Sequence, residues 1–455
     1  MRAKRWPCYA LAVTLLLGTL CGCGASCPSS GQGCAAPAST PAPPPSETAV
    51  PTATPTAVPA PAQPLVPPTP FPLPQIPSTS DKAATCTVCV AGCDFTTVQA
   101  AIDQAQGEAI IELRDAVHTE AGIVVHRGVA LRGLGAERTM IQGHEIREQA
   151  PDRVFLVESG VTAVFEELTI RHGKPADQDE NGGGIRNFGT LTLVNCVVSD
   201  NRANGGGGIS NSGDLTLFDS TVKDNLADGI APMGLECGNG GGIQCGSGTL
   251  LLLNSTLGGN QAGFKGRARG GGAHIGCGCT AVMINSTISN NEASRESGRE
   301  YAHGFGHGGG VYVAGELQLI NSTVSSNRAS GEGGGIFVGK RLDYANTIIA
   351  DNAGEGADCA VIDPDAVAEL IGANAYNWVE DGGCAAAYAG DPLLGPLADN
   401  GGRTQTHALL PGSPAIDAVP AEFCTLDFDQ CGQPRPASAS GATALYDVGA
   451  FEYQP

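Results

Sequence analysis

Aromatic residues make up only 5% of these 455 residues, and only two are tryptophan. A layered globular core draws much of its buried area from aromatics, so this chain must bury its apolar surface in another way. Positive charge is also scarce, with 25 Lys and Arg against 46 Asp and Glu, a formal net charge of −21. Such a surface repels a phosphate backbone and argues against nucleic-acid binding. It also repels a polyanionic sugar unless a cation such as calcium bridges the two. The one continuous apolar run, ALAVTLLLGTL near the N-terminus, is too short for a permanent membrane span. What the chain has in quantity is glycine, 65 residues, together with 30 prolines and 17 cysteines.

The first residues, MRAKRW, are basic, the apolar run follows, and LCGC closes it, the pattern of an export signal. Leu20-Cys21-Gly22-Cys23 resembles a bacterial lipobox. That resemblance implies cleavage after residue 22, a diacylglycerol thioether on Cys23, and a membrane-anchored protein at the cell surface or in the periplasm. Fifteen cysteines follow the cleavage point, and setting aside Cys23 leaves an even fourteen in an oxidising compartment, which favours disulfides. Cys359 with Cys384, and Cys424 with Cys431, are the first pairs expected. Cys86, Cys89 and Cys93 could form a metal cluster, but no matching second half follows, so zinc is the weaker reading.

Residues 36–80 are rich in Pro, Ala and Thr. Proline fixes φ and donates no hydrogen bond, so this stretch is expected to be an extended stalk. At about 3.1 Å per residue it spans on the order of 100 Å. The body opens at CDFTTVQAAIDQAQ, where Val98, Ile102 and Ala105 share a helical face and suggest a capping helix. Boundaries are expected at 1–22 for the signal, 23–85 for anchor and stalk, 86–352 for the repeats, and 353–455 for a C-terminal domain.

One phrase then recurs from Gly182, Gly206, Gly240, Gly270, Gly308 and Gly333: three glycines, an apolar residue, a turn, and an alternating strand. Asn or Asp follows at 195, 219, 254, 285, 321 or 346, then a small residue and a β-branched pair. The phrase ends with a second Asn at 201, 225, 260, 291, 327 or 352. Short strands repeating at such intervals predict a β-solenoid whose stacked coils pair backbone to backbone. The first glycine is expected at a corner of positive φ. The asparagines, Asn254, Asn285 and Asn321 in the first row and Asn201, Asn225, Asn260, Asn291, Asn327 and Asn352 in the second, are expected to stack as rungs. The NST triplets at 254, 285 and 321 match a glycosylation acceptor, but the rung reading accounts for them better.

These repeats resemble those of polymorphic outer-membrane proteins, with G-G-A-I paired to F-x-x-N, although Val198 and Ile288 stand where that family has Phe. The resemblance implies a right-handed parallel β-helix of the pectin-lyase-like superfamily. DPLLGPLADNGGRTQTHALLPGSPAIDA (391–418) and DVGAFE (447–452) are similar to the C-terminal signature of choice-of-anchor Q domains. DQCGQPRP departs from that family's pattern, placing Cys431 where an Arg is common. The family implies a surface protein and names no ligand, and with the sequence ending at GAFEYQP the N-terminal lipid is the expected anchor.

Candidate chemistry lies where the repeats vary. Successive glycine starts are 24, 34, 30, 38 and 25 residues apart, and most of the extra residues fall between the second Asn and the next glycine. Loops emerging at one repeat position line one edge of a solenoid. On the adjoining strand the outward residues are Arg186, Ser210, Gln244, His274, Tyr312 and Phe337. Two aromatics in that row could stack on sugar rings, or be covered by the C-terminal cap. Asp177, Asp179, Glu180, Asp224, Asp228 and Glu236 lie near the same edge, as a calcium site, an acid–base pair or simply a solvated face. Gly306-His307-Gly308 echoes the polygalacturonase triplet without that family's N-T-D and D-D elements, and His303 adds little in a glycine-rich loop. The expected role is non-catalytic adhesion or glycan binding, with a polysaccharide or a surface protein as partner. A calcium-dependent polysaccharide lyase or hydrolase, and a structural spacer of the envelope, are the alternatives.

Overall fold

The alternating runs form strands of two to five residues in most coils, each ended by a corner that glycine, asparagine or aspartate can adopt. A computed structural model describes residues 84–107, 109–177, 180–229, 238–263, 268–294, 306–424, 426–436 and 445–454. Cys23 and the stalk lie outside the described residues. Among those described, parallel pairing gathers the strands into sheets of 18, 10 and 6. One coil passes through Ile185–Asn187 and Thr190–Val194 in the first sheet, Val197–Ser199 in the second and Arg202–Ala203 in the third. The coil is that of a right-handed parallel β-helix.

Register holds from coil to coil. Ile185 pairs with Ile209, then Ile243, Ala273, Val311 and Ile336, all fully buried. Val198, Val222, Leu257, Ile288, Val324 and Ile349 form the equivalent row in the second sheet, also fully buried. Like stacks on like because parallel in-register pairing puts the same repeat position at the same place. A coil this narrow is filled by Ile, Leu and Val, and Phe155, Phe165 and Tyr344 are the aromatics among its largest fully buried side chains. The scarcity of aromatics follows from that cross-section.

The glycines and asparagines turn out to be one device. The first glycine of each triplet has φ between 56° and 78°, the left-handed corner expected. The third serves the ladder: a Cβ on Gly242 would sit 2.9 Å from the Asn260 amide, and one on Gly335 2.8 Å from that of Asn352. The second-row asparagines form a continuous buried chain. Asn201 donates through Nδ2 to Asn225 Oδ1 at 3.0 Å, and the pattern repeats through Asn260, Asn291, Asn327 and Asn352. From Asn225 onward each Oδ1 also accepts the backbone N–H of the asparagine in the preceding coil, as Asn291 does from Asn260 at 3.0 Å, and Asn201 Oδ1 accepts from Gly173 N.

The first row behaves differently from expectation. Asn254, Asn285 and Asn321 have φ of 49°, 46° and 46°, and no continuous ladder links them. They hold a left-handed corner, which asparagine tolerates better than most residues. Two rungs do form, Asn254 donating to Asp219 Oδ1 at 3.2 Å and Asn346 to Asn321 Oδ1 at 3.3 Å, while side chains of the row also turn to the C-terminal segment. Asn285 donates to Phe428 O at 2.8 Å, and Asn346 to Phe423 O at 2.9 Å. The second ladder runs through the small residue that follows. Cys196 N donates to Ser220 Oγ, Ser220 N to Ser255 Oγ, Ser255 N to Ser286 Oγ, and Ser286 N to Ser322 Oγ, at 3.0–3.3 Å.

Both ends are closed by side chains that stand in for a missing coil. A short helix, Val98–Gln104, is capped by Thr97, and its first N–H groups donate to the Glu120 carboxylate. Gln99 pairs its side-chain amide with both Val124 N and Val124 O, as a neighbouring strand would. At the far end Asp358 Oδ1 receives the last rung from Asn352, and Asn377 Oδ1 ends the serine row at Thr347. The Cys359–Cys384 disulfide, the pairing expected, lies here beside the core.

Only this part closes the end; the rest of the C-terminal segment turns back along the outer face of the second sheet. Thr256 donates to Gln405 O, Thr287 to Gln430 Oε1, and Ser289 bonds His407 Nε2, at 2.7–2.8 Å. Cys424 and Cys431 do not pair. The segment between them lies across the coils, so Cys424 meets Asn321 while Cys431 meets Thr406. Cys89 is joined to Cys93, which leaves no three-cysteine cluster with Cys86, and Cys245–Cys279 ties adjacent coils. Cys196 occupies a serine position of the second ladder, and burial pushes its thiol up to about 12.

Candidate functional site

The outward row expected along the first sheet exists in register: Arg186 lies beside Ser210, then Gln244, His274, Tyr312 and Phe337. Its aromatic end is not an open platform. Tyr312 is 8% exposed and Phe337 4%. Tyr312 stacks on His274 at 5.5 Å and on Phe337 at 5.2 Å. The cover comes from the residue before the glycine triplet of the preceding coil. Arg269 lies over the Tyr312 ring at 5.0 Å, and His307 meets Phe337 at 4.9 Å. Asn239, Arg269 and His307 form that second row by backbone bridging, and Arg269 and His307 each roof the outward residue of the next coil. The C-terminal segment, the cover expected, contacts a different sheet. Gly308 has φ of 66° and begins a coil, so Gly306-His307-Gly308 carries a corner and a roof. His303 lies outside the described residues.

The opposite end of the row is more open. The Arg186 side chain is 31% exposed, and Phe188, in the bend that follows the strand, is 38% exposed. The Arg186 guanidinium lies 5.0 Å from the Phe188 ring centre. Arg153 approaches from the previous coil with only 7% of its side chain exposed. It pairs with Glu180 and donates to Asn181 O at 2.7 Å. Gln244 Oε1 is buried with no hydrogen-bond partner among the described residues. Phe188 escaped sequence reasoning because it falls in the two-residue bend between Ile185–Asn187 and Thr190–Val194, where strand alternation does not reach.

The candidate metal carboxylates are not brought together. Asp228 makes a two-pronged pair with Arg202, at 2.9 and 2.5 Å, and Glu180 pairs with Arg153 and Arg186. Asp224 sits at the corner between the second and third sheets, where burial raises its pKa. Asp177 lies in the loop that carries Glu180, whose N–H donates to Asp177 O, and Asp179 lies outside the described residues, as does Glu236. Among the described residues no three metal-ligating side chains converge. Two of these acids, Glu180 and Asp228, are each taken by a guanidinium instead.

The class these features define is a right-handed parallel β-helix protein with a roofed outward row and one open end to that row. No family model matches the sequence, and no curated protein matches it. Among solved structures the chain is similar to pectate lyase Pel9A, with 15% identity and a TM-score of 0.42 over 82% of this chain and 98% of that one. It is similar to a pectin methylesterase from carrot, with 11% identity and a TM-score of 0.37 over 62% of this chain and 90% of that one. A third is Geobacillus virus E2 ORF18, with 12% identity and a TM-score of 0.26 over 62% and 56% of the two chains. At these values the likeness is one of fold and says nothing of this chain's chemistry.

Proposed function

We propose that this is a lipid-anchored surface β-helix that binds saccharide chains without cleaving them, on the outward face of the first sheet around Arg186 and Phe188. One observation carries the reading: an exposed Phe188 ring, in the bend just after the strand Ile185–Asn187, with the Arg186 guanidinium beside it. The apolar face of a sugar packs on an aromatic ring, and guanidinium groups donate to its hydroxyls. Lipidation of Cys23 and a proline-rich stalk would place that face outward from a membrane. The purified protein is to be mixed with neutral polysaccharides, with and without calcium, and scored for retention and for product length. Retention of intact polymer that Phe188→Ala abolishes supports binding. Shortened products overturn the non-catalytic reading, and no retention leaves a protein partner or a spacer.

A further inference from the structure

Two arginines on neighbouring coils point at one carboxylate that belongs to the protein itself. Glu180 pairs with Arg153 and lies 4.0 Å from Arg186. We infer that Arg153 and Arg186 form a recognition site for a single sugar carboxylate, and that Glu180 is its tethered internal occupant. The inference rests on the saccharide-binding reading and adds to it the class of ligand: a largely neutral chain that carries isolated acidic sugars.

The receptor half is preorganised. Arg153 is held by Asn181 O at 2.7 Å and by Asp152 at 3.5 Å, so its guanidinium stays aimed when Glu180 leaves. Burial disfavours its charged form, the Asp152 carboxylate opposes that, and the Arg186 charge adds a smaller repulsion between the two guanidiniums. A carboxylate between them relieves that repulsion and accepts in the planar geometry guanidinium offers. The occupant half is loosely held. The Glu180 side chain is 42% exposed, and its loop is tied through backbone, by Glu180 N to Asp177 O and Asn204 N to Glu180 O. The carboxylate can therefore swing out without breaking the core or the coil register. Phe188 lies beside Arg186, where the next sugar ring would rest.

Net charge narrows the ligand further. At −21 the surface opposes a polymer charged on every residue, whereas one carboxylate meets two local arginines. An internal competitor lowers apparent affinity by the fraction of time the site is free. Removing it therefore raises affinity for the acidic ligand alone.

The test is calorimetric titration with xylotetraose and with a glucuronic-acid-substituted xylotetraose, on the wild type and on Glu180→Gln, Arg186→Ala, Phe188→Ala and the Glu180→Gln/Arg186→Ala pair. Glu180→Gln is expected to bind the acidic oligosaccharide about 10- to 100-fold more tightly, with the neutral one unchanged. Adding Arg186→Ala removes the gain. A Glu180→Gln variant that binds the acidic ligand no better than wild type overturns the inference, as does a gain that survives Arg186→Ala. Equal binding of both oligosaccharides, lost in Phe188→Ala, sinks the Glu180 inference while saccharide binding stands. Binding of neither by any variant sinks both. Should Glu180→Gln fail to fold, Glu180→Asp keeps the charge but shortens its reach, and an intermediate gain is then expected; no gain overturns the inference.

Discussion

Asn291→Ala tests the asparagine ladder at its centre. The side chain is 1% exposed and makes four bonds. Nδ2 donates to Asn327 Oδ1 at 2.9 Å and to Leu257 O at 3.0 Å, while Oδ1 accepts from Asn260 Nδ2 at 2.9 Å and from Asn260 N at 3.0 Å. Truncation strands the buried Asn260 N–H, which costs about 1–3 kcal/mol, and removes further bonds at about 1 kcal/mol each. Asn260 Nδ2 keeps Val222 O, and Asn327 Oδ1 keeps Asn291 N, so those partners are not fully orphaned. The sum is about 3–5 kcal/mol. Asn285 gives the contrast, since it lies six residues earlier in the same coil and outside the ladder. Asn285→Gly keeps the corner and loses the bond to Phe428, about 1 kcal/mol; Asn285→Ala adds roughly 1 kcal/mol of left-handed strain. Urea denaturation followed by circular dichroism, with hydrogen exchange at the Asn260 amide, ranks the three. If Asn291→Ala costs no more than Asn285→Ala, or if the Asn260 amide stays protected, the ladder does not hold the coils together.

Three other outcomes are expected. Asp358 ends the ladder, and burial, reinforced by the charge of Asp381, raises its pKa to about 6. That lies above the unfolded value of about 3.9, so its contribution is full below about pH 4 and is lost as pH rises through about 6, by roughly 1–3 kcal/mol. Urea midpoints should fall over that interval in the wild type and stay flatter in Asp358→Asn; parallel curves would discard this account. Arg435 is fully buried and binds Glu452, Asp447 O and Gly449 O, so Arg435→Ala should cost about 3–5 kcal/mol and expose the flanking C-terminal segment to protease. Equal protease resistance would show that the arginine does not clamp it. Cys23→Ser should move the protein from the detergent phase to the aqueous phase, and continued partition with detergent would count against lipidation.

The coil was legible because its repeat carries its own constraints. Glycine at a positive-φ corner and asparagine at a fixed offset leave a pattern that composition alone cannot hide, and the outward row from Arg186 to Phe337 was placed in the right register. Exposure was not legible. Whether Tyr312 and Phe337 meet solvent depends on Arg269 and His307, which reach over from the preceding coil, and no local pattern announces such a reach. The two asparagine rows looked alike in sequence, yet one bonds continuously along the stack, while the other sets a backbone corner and forms only isolated rungs. The serine row was read as mere small residues, because a hydroxyl that bonds its own strand and the next looks like any turn residue. Cys424 and Cys431 were close in sequence, but the chain between them is laid across several coils.

The same division explains where function can change. Interior positions answer to the coil above and the coil below at once, through Asn, Ser and glycine contacts, so each is tied to every other. Most of the extra residues lie between the second-row asparagine and the next glycine triplet, outside the ladder positions, which is why successive starts can be 24 or 38 residues apart without a break in register. Glu180 belongs to the equivalent stretch of the first coil, which follows the second-sheet strand Thr169–Arg171, whereas Arg153 and Arg186 belong to the coil or its immediate edge. A change at residue 180 can therefore alter what the arginines meet while leaving the scaffold intact, and a change at Gly184 cannot, because its Cβ would collide with Asn201 at 2.9 Å. Specificity in this protein is placed on the part of the repeat that the ladder leaves free.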